Sequence, residues 1–340
     1  MKKGFDFMNT TYLGRLEYSD PLYEILFSHV CDNTKYPIFR VDRMSSSNVY
    51  KYTEENTNIS IVGKFFKLND VKIDRVLRIK GEYDNLNKIR SYGFDVFPNY
   101  VVKPISKDER IGLALTEEFI TGKNLDYYLK KAIFEGKSNQ LKDKLERLAD
   151  FLYVFHDRTR SDKIFKIEPI NQYFQKITSK LLKQTVISDN QRKYLLRLMD
   201  KWLNKEQFSY TKNSLVHGDA TPTNFIFSEA GYVIAIDLER MKDSDPAYDI
   251  GMVCGEIKHA FLWRTGNPYL SEPFIRHFLI NYAKHFHDSK KAFKEITQRN
   301  PFYMAMTELR IARNNYLHWE YRKRLVYEAE QCLKWGLKLL

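Results

Sequence analysis

Three polar residues in the second half of the chain combine the side chains and the order that phosphoryl transfer requires. Asp219 opens a loop after an apolar segment, Asn224 follows after four residues, and Asp237 ends the next apolar segment. A carboxylate can orient an acceptor hydroxyl and take its proton, while carboxylate and amide oxygens are ligands that Mg²⁺ prefers. Strand ends fix the backbone and leave such side chains accessible. The alternative is a polar β-turn that holds no metal, with Asp219 as a cap.

The wider segment contains further residues at fixed positions. His217-Gly218 precedes Asp219, Ile236 and Leu238-Glu239 surround Asp237, and residues 245–251 read Asp-Pro-Ala-Tyr-Asp-Ile-Gly. This set resembles the aminoglycoside phosphotransferase and choline kinase superfamily, whose members have a protein-kinase-like fold and phosphorylate small molecules. Protein kinases share the order of the acids and the amide, but they have His-Arg-Asp where this chain has His-Gly-Asp. The resemblance covers residues 36 to 286.

The resemblance implies a role for each of these residues. Asp219 would be the catalytic base, and Asn224 and Asp237 would bind Mg²⁺ on the phosphates of ATP or GTP. Asp249 would accept hydrogen bonds from the backbone of the loop, and His217 would pack beneath that loop. The implied activity is transfer of the γ-phosphate to a hydroxyl of a small molecule such as an aminoglycoside, a sugar or a similar metabolite.

A lysine in the N-terminal part is the candidate for binding the nucleotide phosphates. Lys64 lies among apolar residues of a predicted strand, where a lysine is costly to bury unless it is paired. Glu82, on a predicted helix, is the preferred partner and matches the lysine–glutamate pair of kinase folds, although Glu55 or Asp84 could take its place. The alternative for Lys64 is a strand lysine that faces the solvent.

Two further segments are expected to contact the nucleotide. A turn before Lys64 has serines where kinases have glycines, and serine backbone N–H and hydroxyl groups can still bind phosphate. By the family resemblance, the adenine would meet the backbone of the connector between two predicted lobes. These candidates are Ser45, Ser46 and Ser47 in the turn, and Glu118, Phe119 and Ile120 in the connector.

The acceptor is expected to bind on and around the helix that follows Asp249. The candidate residues are Glu239, Glu256, His259, Trp263 and Arg264. Ordinary helix packing is the alternative for Trp263, and Glu239 could equally be a solvated acid at a strand end. Aminoglycosides are polycations that favour an acidic pocket, whereas this region also carries basic residues. A neutral or anionic sugar, or a similar hydroxylated metabolite, is therefore an equal candidate.

The pattern of apolar residues predicts an α+β protein with two lobes. Residues 36–120 contain short β-branched segments separated by Asn, Asp, Ser and Gly, which favour antiparallel strands, with one helical pattern at 74–92. The rest of the chain is mostly helical around a strand-rich part at 214–238. We therefore expect an antiparallel N-lobe at residues 1–120 and a helical C-lobe at residues 121–340.

The totals of the sequence limit the other function classes. The 340 residues carry a formal net charge of +12, which favours anionic partners such as nucleotides, but no long basic run indicates nucleic acid binding. The widely spaced cysteines Cys31, Cys254 and Cys332, and the lack of a signal-like start or a membrane-length apolar run, predict a cytoplasmic protein that binds no membrane. The composition does not indicate an oligomeric state.

Two rival functions share part of the pattern. A protein Ser/Thr kinase would use the same base and metal ligands, but the interval between Asp237 and Asp249 is short for an activation loop. A pseudokinase scaffold that binds nucleotide without catalysis would be expected to lack a catalytic residue, and Asp219, Asn224 and Asp237 are all present.

Overall fold

The computed structural model describes residues 10–30, 36–44, 48–66, 73–208 and 211–339. The predicted phosphate-binding serines, Ser45, Ser46 and Ser47, lie outside the described residues. The strands are β1 (Thr11–Arg15), β2 (Phe39–Arg43), β3 (Val49–Glu54), β4 (Ser60–Phe65), β5 (Asn99–Val101), β6 (Pro104–Asp108), β7 (Leu113–Glu118), β8 (Lys123–Asn124), β9 (Ser214–Val216), β10 (Phe225–Phe227), β11 (Val233–Ala235) and β12 (Lys242–Ser244). The helices are α1 (Pro21–Val30), α2 (Ile73–Arg90), α3 (Leu125–Glu135), α4 (Ser138–Arg158), α5 (Glu168–Lys183), α6 (Asp189–Leu203), α7 (Ala247–Thr265), α8 (Glu272–Ala283), α9 (Ser289–Ala312) and α10 (Trp319–Gly336).

The chain divides into two compact units. The first comprises Met1–Gly122 and Ser228–Arg240, and the second comprises Lys123–Phe227 and Met241–Leu340. The predicted lobes, 1–120 and 121–340, did not include the return of the chain to the first unit at Ser228–Arg240. This return places Asp237 in the same unit as Lys64.

A six-stranded sheet forms most of the first unit. Its strand order is β1-β2-β3-β4-β7-β6, and all neighbouring strands are antiparallel. The apolar side chains Leu22 and Leu26 of α1 form a core cluster with Phe39, Tyr52 and Ile61 of the sheet. Burial of each large apolar side chain contributes about 1.5–3 kcal/mol, so α1 is held by its apolar face.

The rest of the first unit consists of α2 and a parallel pair of short strands. β11 pairs with β5, with Val233 opposite Asn99. Leu86 of α2 is fully buried, and the neighbouring Asn85 donates from Nδ2 to the carbonyl oxygen of Leu238 at 2.9 Å. The segment after β11, which contains Asp237, is thereby fixed to α2.

Helices form most of the second unit. β8 pairs with β10 and β9 pairs with β12, both in antiparallel fashion. α7 and α9 approach closely because α7 has glycines at the contact: a Cβ on Gly251 would lie 2.2 Å from Cβ of Tyr303, and one on Gly255 would lie 2.7 Å from Cβ of Thr307. The α7–α9 seam, defined by these four residues, fixes the separation of the two helices.

The α+β composition that the sequence predicts is confirmed, and the helical pattern at 74–92 corresponds to α2. The apolar pattern also predicts one amphipathic segment over 311–333, but α9 ends at Ala312 and α10 begins at Trp319. The sequence pattern did not predict β1 or α1. None of the described helices is both long enough and apolar enough to span a membrane.

Candidate active site

The loop at residues 217–224 is held from below by a buried carboxylate. β9 is buried along its length and leads into His217, which has no exposed surface. Asp249, in the first turn of α7, is also fully buried, and its carboxylate accepts from the backbone N–H groups of His217 at 2.7 Å and Gly218 at 3.0 Å. Gly218 has φ of +77°, a conformation that favours glycine. The contacts expected of Asp249 from the resemblance are thus present.

Two side chains that sequence reasoning missed support Asp249. His156 of α4 is buried, and its Nε2 lies 3.1 Å from a carboxylate oxygen of Asp249. The other ring nitrogen of His156 lies 2.9 Å from the hydroxyl of Tyr282 on α8. A buried carboxylate needs such partners because an unpaired charge in the interior is very costly. No local pattern around His156 or Tyr282 marks this role.

Asn224 is fixed by the loop in a defined orientation. It ends a short 3₁₀ turn that begins with Pro222, and its Nδ2 donates to the carbonyl oxygen of Asp219 at 2.9 Å. The hydroxyl of Thr223 lies 3.3 Å from Oδ1. The amide nitrogen is therefore engaged with backbone, which orients the amide oxygen as the atom that could bind a cation.

The Asp219 carboxylate is bound by an arginine that the sequence analysis did not identify. Nη1 of Arg310, on α9, lies 2.5 Å from Oδ1 of Asp219, and Nη2 lies 2.8 Å from Oε1 of Glu256 on α7. Burial lowers the pKa of the Arg310 guanidinium, but the two carboxylates outweigh that effect and raise it above its ordinary value. Burial raises the pKa of Glu256, while Arg310 opposes this rise. We call Asp219, Arg310 and Glu256 the arginine bridge.

Lys64 and Glu82 are in contact within the first unit, as the sequence predicts. Lys64 Nζ lies 2.6 Å from Oε1 of Glu82, 3.2 Å from Oε1 of Glu117 and 3.9 Å from Oδ1 of Asp237. Glu117, on β7, was not identified from sequence. Burial raises the pKa of Glu82 to about 8, although Lys64 opposes the rise. Lys64, Glu82, Glu117 and Asp237 form what we call the lysine cluster.

Asp237 has an unusual backbone conformation in the lysine cluster. Its φ is +64°, in the left-handed region that few residues other than glycine, asparagine and aspartate adopt. Its carboxylate is more exposed than those of Glu82 and Glu117. The next acid, Glu239, has its pKa raised by burial and by Asp237, and it lies 3.4 Å from Nε of Arg240. A strained backbone of this kind is typical of functional sites.

Two residues of the predicted connector at 118–120 have backbone N–H groups that are hydrogen-bonded within the protein. The N–H of Glu118 donates to the carbonyl of Lys103 at 3.1 Å, and the N–H of Phe119 donates to the carbonyl of Ser60 at 3.2 Å. The Glu118 carboxylate also accepts from the hydroxyl of Tyr100 at 2.6 Å. Among the described residues, the N–H of Ile120, the third predicted connector residue, makes no such backbone bond.

Three further acceptor candidates lie on α7 and contact neighbouring side chains. Nδ1 of His259 lies 2.9 Å from the hydroxyl of Tyr321, and burial lowers the pKa of His259 to about 4. Arg264 pairs with Asp126 at 2.6 Å. Trp263 packs edge-to-face on Tyr321 but keeps about half of its surface exposed. Glu239, the remaining candidate, belongs to the first unit.

Comparison with known protein families decides the broader assignment. The profile of the phosphotransferase enzyme family matches residues 78–295. The chain belongs to this family. Its matched part includes the loop with Asp219, the segment with Asp237 and all of α7, whereas Arg310 lies beyond it. The resemblance to the aminoglycoside phosphotransferase and choline kinase superfamily is therefore confirmed.

Solved structures show that the phosphotransferase has the protein-kinase-like fold predicted from its sequence. An ethanolamine kinase from Plasmodium vivax is 15% identical, with 93% of this chain and 87% of that chain covered and a TM-score of 0.59. A choline kinase from Streptococcus pneumoniae is 18% identical, with 85% and 90% covered and a TM-score of 0.53. APH(2")-IIa, in a ternary complex with streptomycin and ATP, is 14% identical, with 95% and 99% covered and a TM-score of 0.56. Comparison with curated protein sequences finds no match.

Proposed function

We propose that this phosphotransferase transfers the γ-phosphate of ATP or GTP to a hydroxyl of a small molecule, with Asp219 as the general base. The observation that carries the proposal is the loop at 217–224, in which buried Asp249 holds the backbone before Asp219 and Asn224 bonds to the backbone of Asp219 itself. A base must be held in a fixed orientation to the hydroxyl that it deprotonates. This loop supplies that fixed support.

The oxygen atoms of Asn224 and Asp237 suit Mg²⁺. No group of three or more His, Cys, Asp or Glu side chains among the described residues could hold a metal. Mg²⁺ does not require such a group, because it binds through one or two protein oxygens together with waters and substrate phosphates. When bound, Mg²⁺ would neutralise charge that develops on the phosphates. Asp237, with its partly exposed carboxylate, and Asn224, with its oriented amide oxygen, are the residues that would hold it.

Lys64 would bind the nucleotide phosphates, and Glu82 and Glu117 would hold Lys64 in position. Both glutamates are buried and lie within 3.2 Å of its Nζ. Ser45, Ser46 and Ser47 and the connector at 118–120 would complete the nucleotide site. Among the similar structures, one is a complex with ATP and another is a complex of an aminoglycoside 2'-phosphotransferase with GDP, which supports ATP or GTP as donor.

The charges on the α7 side of the second unit favour a neutral or anionic acceptor such as a sugar or similar metabolite. Glu256 and Asp219 both bind Arg310, and Asp126 binds both Arg264 and Lys130. A polycation would have to compete with these basic partners for each carboxylate. Aminoglycosides are therefore the second acceptor class, kept because similar structures contain streptomycin and gentamicin.

Cytoplasmic location is a further part of the proposal. Cys254 and Cys332 are free thiols, as expected in a reducing compartment.

The two alternative functions predict different results for turnover. A protein kinase requires a peptide acceptor, whereas a pseudokinase phosphorylates no acceptor.

The test is turnover of purified protein with Mg²⁺-ATP or Mg²⁺-GTP against aminoglycosides, sugars, choline, ethanolamine and a generic protein substrate. Asp219→Asn should lower turnover by about 10²–10⁴-fold, the usual contribution of a general base, while nucleotide affinity stays close to wild type. Asp162→Asn, at an exposed carboxylate that pairs with Lys212, is the matched control and should change neither quantity. Wild-type turnover in Asp219→Asn would refute the role of the base, and absence of Mg²⁺-nucleotide binding would refute the function.

A further inference from the structure

Arg310 lies outside the part of the chain that the family profile matches, yet its Nη1 lies 2.5 Å from Oδ1 of Asp219. We propose that Arg310 is a positioning residue: it fixes the orientation of the Asp219 carboxylate, and Glu256 in turn fixes Arg310. This inference rests on the proposed function of Asp219 as the base. It adds a residue from α9 to the proposed residues of the loop at 217–224 in the second unit.

The geometry of the guanidinium suits this role. Nη1 binds Oδ1 of Asp219 at 2.5 Å, and Nη2 binds Oε1 of Glu256 at 2.8 Å. A guanidinium is planar and keeps its charge, so its two terminal nitrogens have a fixed separation and direction. Binding one carboxylate with each nitrogen therefore fixes the position of both acids relative to α9. A lysine, with a single compact charge on a flexible chain, could not bridge them in the same way.

The helix packing places Arg310 where it can reach the loop. Gly255 of α7 contacts Thr307 of α9 so closely that a Cβ on the glycine would lie 2.7 Å from Cβ of Thr307. Glu256 follows Gly255 directly, and Arg310 lies about one helical turn beyond Thr307. The ion pair of Arg310 with Glu256 thus forms at the end of the α7–α9 seam. The two helix backbones lie close together there because the glycines have no side chains.

The three residues of the arginine bridge depend on one another because they are buried. The side chains of all three residues are less than one-fifth exposed. An arginine cannot discharge itself by losing a proton, so in this environment it needs carboxylate partners. Glu256 supplies a second partner on the side of α7, which keeps Arg310 in place when Asp219 engages an acceptor hydroxyl. A purely structural ion pair between α7, α9 and the loop would stabilise the fold in the same way, so stability alone does not test the proposal.

Placement of the base controls the rate because proton transfer requires close approach. A displacement of about 1 Å can reduce the rate by about 10²-fold. We therefore expect Arg310→Met to lower kcat by about 100-fold, with Mg²⁺-ATP affinity within twofold of wild type. Arg310→Lys, which retains one charge contact, should recover about tenfold of that loss. Glu256→Gln should have a smaller effect than Arg310→Met, since Arg310 keeps its contact with Asp219.

The experiment measures kcat and KM with the most active compound of the acceptor panel, or with water as acceptor through Mg²⁺-ATP hydrolysis. Arg322→Met is the matched control: Arg322 is a buried arginine of α10 that bonds to the carbonyl of Ala312 and to Gln184. It should lower thermal stability and leave kcat of the folded protein unchanged.

A double variant separates positioning from direct action on the acceptor. Because Arg310 is proposed to act through Asp219, adding Arg310→Met to Asp219→Asn should reduce kcat no further. A multiplied loss in the double variant, or wild-type kcat in Arg310→Met, would overturn the inference. If Arg310→Met does not fold, Arg310→Lys serves in the same cycle. Loss of activity in Asp219→Asn but not in the Arg310 variants refutes the inference alone, whereas retained activity in Asp219→Asn refutes the proposed function.

Discussion

Replacing Lys64 by methionine removes the cation that faces three carboxyl groups of the first unit. Its Nζ lies 2.6 Å from Glu82, 3.2 Å from Glu117 and 3.9 Å from Asp237. Methionine has a similar length and no charge, so the change tests electrostatics more than packing. We expect Lys64→Met to destabilise the protein and to do so more strongly at high pH.

The magnitude follows from the cost of protonating the buried acids. Burial raises the pKa of Glu82 to about 8, so it needs little further protonation at pH 7. Burial also raises the pKa of Glu117, and Lys64 opposes the rise. Without Lys64, Glu117 must take up a proton to avoid a bare buried charge, and this costs at most about 3.4 kcal/mol at pH 7 for a group with an ordinary pKa of 4.5. At pH 5 the same cost is about 0.7 kcal/mol.

The sign of the pH dependence is fixed by linkage. In the variant, the folded state holds the Glu117 proton more tightly than the unfolded chain does. Stability relative to wild type is therefore retained below about pH 4.5 and is lost as pH rises towards the raised pKa of the folded state. We expect a loss of about 2–3 kcal/mol at pH 7 and of about 1 kcal/mol or less at pH 5.

Urea unfolding followed by circular dichroism at the two pH values measures this difference. Lys80→Met is the matched control, since Lys80 on α2 pairs with the exposed carboxylate of Glu109 at 2.6 Å. An exposed pair of this kind contributes less than about 1 kcal/mol. The double variant Lys64→Met/Glu117→Gln should recover most of the loss at pH 7. An equal loss at pH 5 and pH 7, or an equal loss in Lys80→Met, would refute the electrostatic reasoning.

Two further predictions concern the fold around the site. Glu308 is fully buried, and burial raises its pKa to about 8, so the folded state keeps a proton that the unfolded chain loses above about pH 4.5. The free energy of unfolding should fall by up to about 1.4 kcal/mol per pH unit between about pH 4.5 and about pH 8. In urea titrations, Glu308→Gln should flatten this slope. An unchanged slope contradicts the raised pKa of Glu308. Gly251→Ala should lower stability by about 1–3 kcal/mol or more, because its Cβ would lie 2.2 Å from Tyr303. In thermal unfolding the control Gly81→Ala, which meets nothing within 4 Å on α2, should instead raise stability by about 0.5–1 kcal/mol, and a Gly251→Ala protein as stable as wild type would show that the seam can relax.

Sequence reasoning predicted candidate residues where the signal lies within one short segment of the chain. The loop at 217–224 is short and has its glycine, proline and asparagine at positions that fix the backbone, so its shape follows from adjacent residues. Asp249 lies in the first turn of α7, and its contacts with the loop backbone are those that the resemblance implies. Lys64 was recognisable because a charged residue among apolar strand neighbours demands a partner. Such signals can be read from a single segment.

The residues that sequence reasoning missed act across large separations. Arg310 contacts Asp219 from 91 positions away, and His156 contacts Asp249 from 93 positions away. A helical pattern shows which face of α9 is buried, but many acids along the chain could pair with a buried arginine. Glu117 was missed because it lies in an apolar strand whose pairing with β4 had to be known first. β1 was missed because it is almost entirely exposed and has no alternation of apolar and polar residues.

The distribution of charge gives an independent reason to expect a divalent cation. The chain has a net charge of +12, yet the residues proposed for phosphoryl transfer are mainly acidic. The lysine cluster sets one lysine against the carboxylates of Glu117 and Asp237, and the arginine bridge sets one arginine against two. A polyphosphate brought to such residues would meet repulsion unless a cation came with it. The excess of carboxylates over bases thus supports the proposal that Mg²⁺ is used, alongside the oxygen atoms of Asn224 and Asp237.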